Sequence, residues 1–90
     1  MPKYVIEREL PGAGNLSGAE LRDISQKSNK VISDLGPEIR WLHSYVTDDK
    51  IYCVYVAPDE DILYEHARCG GFPADKIVRV ATEIDPATGD

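Results

Sequence analysis

The residues of this 90-residue chain best suited to chemistry are two histidines, two cysteines and a few carboxylates close to them. His66 and Cys69 are three positions apart and Glu65 is four before Cys69, so on a helix their side chains leave one turn and can converge. Imidazole, thiolate and carboxylate together suit borderline ions such as nickel, zinc or copper. The competing reading makes His66 a core histidine and Cys69 a small apolar filler, the usual state of a free cysteine. His43 stands in a second setting, a strand-like run, and Glu7 and Glu9 alternate in another such run. These three can also supply donors to a divalent ion. Asp59, Glu60 and Asp61 offer oxygen alone, which suits harder ions.

Other chemistries find less support. A Cys-His nucleophile would need Cys53 and His43 on the same side of a sheet, and their spacing puts them on opposite sides. The glycine-rich segment 11–15, PGAGN, has neither the GxxxxGK[ST] nor the GxGxxG pattern and reads as a connection rather than a phosphate cradle. Tyr45 and Tyr52 can face each other across a hairpin and hold a small organic molecule. That leaves open an enzyme of monooxygenase-like or isomerase-like type with a pocket at the sheet face, although no acid-base pair at a catalytic spacing accompanies it.

The elements that must position these residues follow from patterning. Residues 3–10 alternate, with Tyr4, Ile6, Arg8 and Leu10 set toward a core and Val5, Glu7 and Glu9 opposite. Ser17 followed by Glu20 is a capping-box spacing, and Leu21, Ile24, Ser28, Val31, Ile32 and Leu35 form the inner stripe of the helix it opens. Gly36-Pro37 closes that helix. Residues 41–57, WLHSYVTDDKIYCVYVA, read as two strands turned at Asp48-Asp49. With those two as the turn, Tyr45 faces Tyr52, His43 faces Val54 and Trp41 faces Val56. Alternation then puts Trp41, His43, Tyr45, Tyr52, Val54 and Val56 on one face, and Leu42, Ser44, Val46, Ile51, Cys53 and Tyr55 on the other. A second helix starts at Pro58-Asp59, carries His66 on its inner face and stops at Gly70-Gly71. A last strand is expected over 76–84, and a frayed tail over 85–90.

The order strand, helix, strand, strand, helix, strand predicts a single α+β domain over 1–90 of ferredoxin-like βαββαβ type. Its four-stranded antiparallel sheet would carry both helices on one face. The other face, aromatic and uncovered, is expected to pair two copies into a homodimer. In this fold the third strand lies between the first and second, so His43 and Glu7 stand roughly 9.6 Å apart at the backbone. A shared ion within one copy is then difficult, though long side chains can still reach, and a second copy or water could bring in the missing ligand.

The chain has 16 acidic against 10 basic side chains, net charge −6, which disfavours nucleic acid as a partner. It shows no signal-peptide pattern and no apolar stretch long enough to span a bilayer, so a cytoplasmic protein away from membranes is expected. Two cysteines make no disulfide framework, and free thiols are expected there.

Three segments, MPKYVIERELPGAG, HSYVTDDKIYCVYVAPDE and EHARCGGFPADKI, resemble the small actinobacterial nickel-binding proteins, a family otherwise classed as a domain of unknown function. The resemblance spans nearly the whole chain, and HSYVTDDKIYC is its most specific part. It implies a ferredoxin-like, non-enzymatic homodimer that binds nickel at its surface and sequesters or buffers it, with zinc or another divalent ion as the alternative. It supplies no ligand motif, so the candidate ligands stay those of the residue chemistry: His43, His66, Glu7, Glu9, Glu65 and Cys69.

Overall fold

The computed structural model describes residues 1–90. Strand β1 (Lys3–Glu9) is followed by a 3₁₀ turn (Ala13–Asn15), helix α1 (Gly18–Leu35), strands β2 (Arg40–Val46) and β3 (Lys50–Val56), helix α2 (Glu60–Gly70), strand β4 (Lys76–Arg79) and a terminal 3₁₀ turn (Pro86–Gly89). The sheet order is β2-β3-β1-β4, with every neighbouring pair antiparallel. This is the expected α+β, ferredoxin-like arrangement.

Local chemistry sets the helix ends where the spacing predicts. Ser17 Oγ accepts from the Glu20 amide at 3.1 Å while Glu20 Oε1 accepts from the Ser17 amide at 3.1 Å, a reciprocal capping box that opens α1. Asp59 caps α2 through the Ile62 amide at 3.1 Å. Gly71 ends α2 at φ 67°, a left-handed conformation that an L side chain resists.

Alternation along β1 and β3 produces the layers. Tyr4, Ile6 and Arg8 of β1 and Ile51, Cys53 and Tyr55 of β3 are buried, together with Leu63, His66 and Ala67 of α2 and Ser28 of α1. Between these buried positions stand Val5, Glu7, Tyr52, Val54 and Val56, half-buried, on the helix-free side.

The hairpin turns at Asp48-Asp49, with the Thr47 amide donating to the Lys50 carbonyl at 2.8 Å. Tyr45 faces Tyr52 and His43 faces Val54, but Trp41 faces Tyr55 rather than Val56 because the register shifts between Trp41 and His43. Leu42 is the extra residue of this bulge and is 39% exposed. Trp41 therefore lies on the helix side, not on the open face where strict alternation places it. There its ring stacks on Tyr55 at 6.5 Å between centroids and its Nε1 donates to Ser44 Oγ at 2.8 Å. The bulge thus moves the largest side chain to the sheltered side and gives its N–H an acceptor.

Strand β4 is also shorter than the expected 76–84. Tyr4 pairs with Arg79, and the Val80 amide donates to the Lys3 carbonyl at 2.8 Å, which brings the ladder to the start of β1. Beyond it lies Pro2, which has no N–H to offer. The terminal turn is closed reciprocally by Asp85 and Thr88, and Glu83 reaches back to an ion pair with Lys3.

Candidate functional site

The six metal-ligand candidates fall into three separate settings. His43 lies on the open face of edge strand β2, exposed, its ring 5.2 Å from that of Tyr45 in an edge-on arrangement. On the same face, two strands away, Glu7 and Glu9 share the Lys50 ammonium at 3.6 and 3.2 Å. Those carboxylates, Glu9 above all, raise the Lys50 pKa, and this ammonium already occupies the space between them.

The second setting is the outer surface of α2. Cys69 Sγ lies 3.5 Å from Glu65 Oε1, while Arg68 forms an ion pair with the same carboxylate and lowers its pKa through that hydrogen bond. Glu65 and Cys69 are thus brought together as the one-turn spacing predicts. His66 is not brought to them, because its ring is buried against Tyr55 and Phe72 while Cys69 is exposed at the helix surface.

The third setting is the interior. His66 is 0% exposed and packs between Tyr55 and Phe72, at ring-centroid distances of 5.4 and 5.5 Å. Its Nε2 is 3.1 Å from Ser28 Oγ, and its Nδ1 has no partner. A buried N–H without an acceptor costs more than an idle lone pair, so the proton belongs on Nε2, donated to Ser28. Loss of solvent, reinforced by the nearby Arg8 charge, lowers the His66 pKa to about 4. The ring is neutral at ordinary pH. Ser28, the small polar member of the α1 stripe, serves as its partner.

No group of three or more His, Cys, Asp or Glu side chains converges within the chain. The chain offers donors in pairs, Glu7 with Glu9 and Glu65 with Cys69, and His43 singly.

A cavity of about 230 Å³ lies between the sheet and α1, on the helix side rather than on the open face of Tyr45 and Tyr52. Arg8, Cys53, Tyr55 and Trp41 line it from the sheet, Ile24 and Ser28 from α1. Arg8 is only 5% exposed, its Nε donating to Cys53 Sγ at 3.5 Å and its Nη1 to the Pro73 carbonyl. Its guanidinium stands 5.7 Å over the Phe72 ring. Burial raises the Tyr55 pKa, with Ser28 and Arg8 beside the hydroxyl pulling it partway back. The alternation of β1 placed Arg8 among core positions, and a charge on such a stripe was the one signal of this cavity in the sequence.

Residues 4–80 match the family model described as nickel responsive protein SCO4226-like. The chain belongs to this family. No curated protein sequence matches it. The chain is also similar to SCO4226 from Streptomyces coelicolor A3(2), an actinobacterial protein known from its crystal structure, with 16% identity and a TM-score of 0.77. The superposition covers 91% of this chain and 99% of that one, and it establishes the shared fold. No helix of the chain is long and apolar enough to cross a membrane.

Proposed function

We propose that this protein binds nickel(II) as cargo at the surface of a homodimer and thereby sequesters or buffers it. Membership of a nickel-responsive family carries the reading. The donor chemistry is compatible with it: His43, Glu7 and Glu9 share the helix-free face, and Glu65 and Cys69 lie 3.5 Å apart on α2. Pairs of donors make open sites, completed by water or by a second copy, and such sites take up and release an ion more readily than a closed tetrahedral cage.

The dimer is proposed through the helix-free face. Val5, Tyr52, Val54 and Val56 are half-buried there, Val78 is exposed and Tyr45 is 62% exposed, forming an apolar field rimmed by Glu7, Glu9 and Lys50. Sheet-to-sheet pairing would bury this field and bring His43 of one copy toward carboxylates of the other.

Isothermal titration of metal-free, tag-free protein with nickel and with zinc tests the reading. A saturable nickel heat is expected. Separate His43→Ala and Cys69→Ser titrations then locate the donors. If both variants bind as the wild type does, the site belongs to the carboxylates alone.

A further inference from the structure

Arg8 presents an unresolved electrostatic problem. A guanidinium stays charged under all ordinary conditions, and burying it without an anion carries a desolvation cost. Arg8 is 5% exposed, yet no carboxylate lies within ion-pairing distance of it. Its near neighbours are all neutral: an aromatic face, the Tyr55 hydroxyl, and the carbonyl and thiol that accept its hydrogen bonds. They engage Nε and one hydrogen of Nη1, and no hydrogen bond engages Nη2. The side of the guanidinium formed by Nη1 and Nη2 is the geometry that receives a carboxylate through two parallel hydrogen bonds.

The space beside it is built for more than solvent. A volume of about 230 Å³ is several times the ~30 Å³ that one water occupies in the liquid. Its walls away from Arg8 are mostly apolar, formed by Leu21 and Ile24 of α1, Trp41 and Val46 of β2, and Ile51 of β3, with Ser25 and Ser44 the polar members. At the charged end, the Tyr55 and Ser28 hydroxyls can donate to an anion already held by Arg8. Leu21 is half-buried and Val46 42% exposed, so the cavity reaches solvent along the β2 edge.

We propose that this cavity binds a small organic monocarboxylate with an apolar body, its carboxylate against Arg8 and its body against Trp41 and the α1 side chains. One cation and no second one in the lining matches a monoanion; a phosphate dianion would keep an uncompensated charge in an apolar wall. The site is independent of the nickel reading, because none of the metal-ligand candidates lines it.

Trp41 is the chain's one tryptophan and lines the cavity, so its fluorescence reports occupancy directly. Metal-free protein in a chelating buffer is titrated with phenylacetate and with 4-methylpentanoate. A saturable change in Trp41 emission is expected with at least one of them, and phenylacetamide, of the same shape without the charge, should bind about tenfold or more weakly. Inorganic phosphate should give no response. Arg8→Met should lose about tenfold or more in carboxylate affinity while its ligand-free thermal midpoint stays equal to or above the wild type, because an unpaired buried charge is replaced by an apolar chain. Ser25→Leu, which fills the cavity from α1 and leaves Arg8 in place, should abolish binding and serves if Arg8→Met does not fold. No saturable response to either carboxylate, equal affinity for the amide, tighter binding of phosphate, or a folded Arg8→Met or Ser25→Leu variant that binds like the wild type would each overturn the proposal.

Discussion

Acidification should destabilise this protein in large part through His66. Its ring is enclosed, with Ser28 on Nε2 and Arg8 close enough to oppose a second positive charge, and its pKa in the folded chain is about 4 against 6.5 when exposed. The folded value lies below the unfolded one, so between the two the unfolded chain binds the extra proton and the folded chain does not. Stability is therefore fully present above about pH 6.5, falls as the pH drops toward 4, and loses nothing more from this group below that. At 1.36 kcal/mol per pH unit the interval corresponds to roughly 3 kcal/mol. That is a large share of the ~5–13 kcal/mol expected for a domain of this length. The assay is urea unfolding at intervals from pH 7.5 to about pH 4, comparing wild type with His66→Gln, whose amide reaches toward Ser28 but does not titrate. Other groups titrate alike in both proteins, so the difference between the two curves isolates His66. The wild type should lose roughly 3 kcal/mol more than the variant over this range. Parallel curves would refute the enclosed, neutral histidine.

Two further outcomes follow from packing. A Cβ at Gly70 would lie 2.2 Å from the Phe72 ring, which is held between His66 and the cations of Arg8 and Lys27. Gly70→Ala should therefore cost about 1–3 kcal/mol in urea unfolding, although alanine alone would favour the helix; a stabilised variant would contradict the close packing. Val54→Lys places a charge in the middle of the helix-free face and should convert the proposed dimer to a monomer in sedimentation analysis. An unchanged dimer would move the interface elsewhere.

Much of the fold was legible because its signals are local. Ser17 with Glu20, Asp59, and Gly71 each satisfy or release backbone groups at a helix end, and each acts where its spacing predicts. The sheet faces of β1 and β3 follow strict alternation, and Asp48-Asp49 fixes the hairpin register as far as His43. Trp41 escaped because a bulge is a tertiary decision: the period-two pattern carries no mark of the extra residue, while the shelter beside Tyr55 and the Ser44 acceptor exist only in the folded protein. For the site, the pairing of Glu65 with Cys69 was readable from helical spacing, as was the inner position of His66. Spacing of Cys69 and His66 alone could not show that the His66 ring sinks into the core while Cys69 stays exposed. The cavity was hidden for a similar reason. Its residues come from β1, α1, β2 and β3, distant in sequence, and only the charge of Arg8 among Ile6 and Leu10 hinted that this part of the core was not merely apolar.

The central claim is nickel binding, and the calorimetric isotherm of metal-free, tag-free protein titrated with nickel(II) tests it most directly. The account predicts saturable heat at micromolar protein, weakened by His43→Ala or by Cys69→Ser. An isotherm showing only the heat of dilution would contradict it.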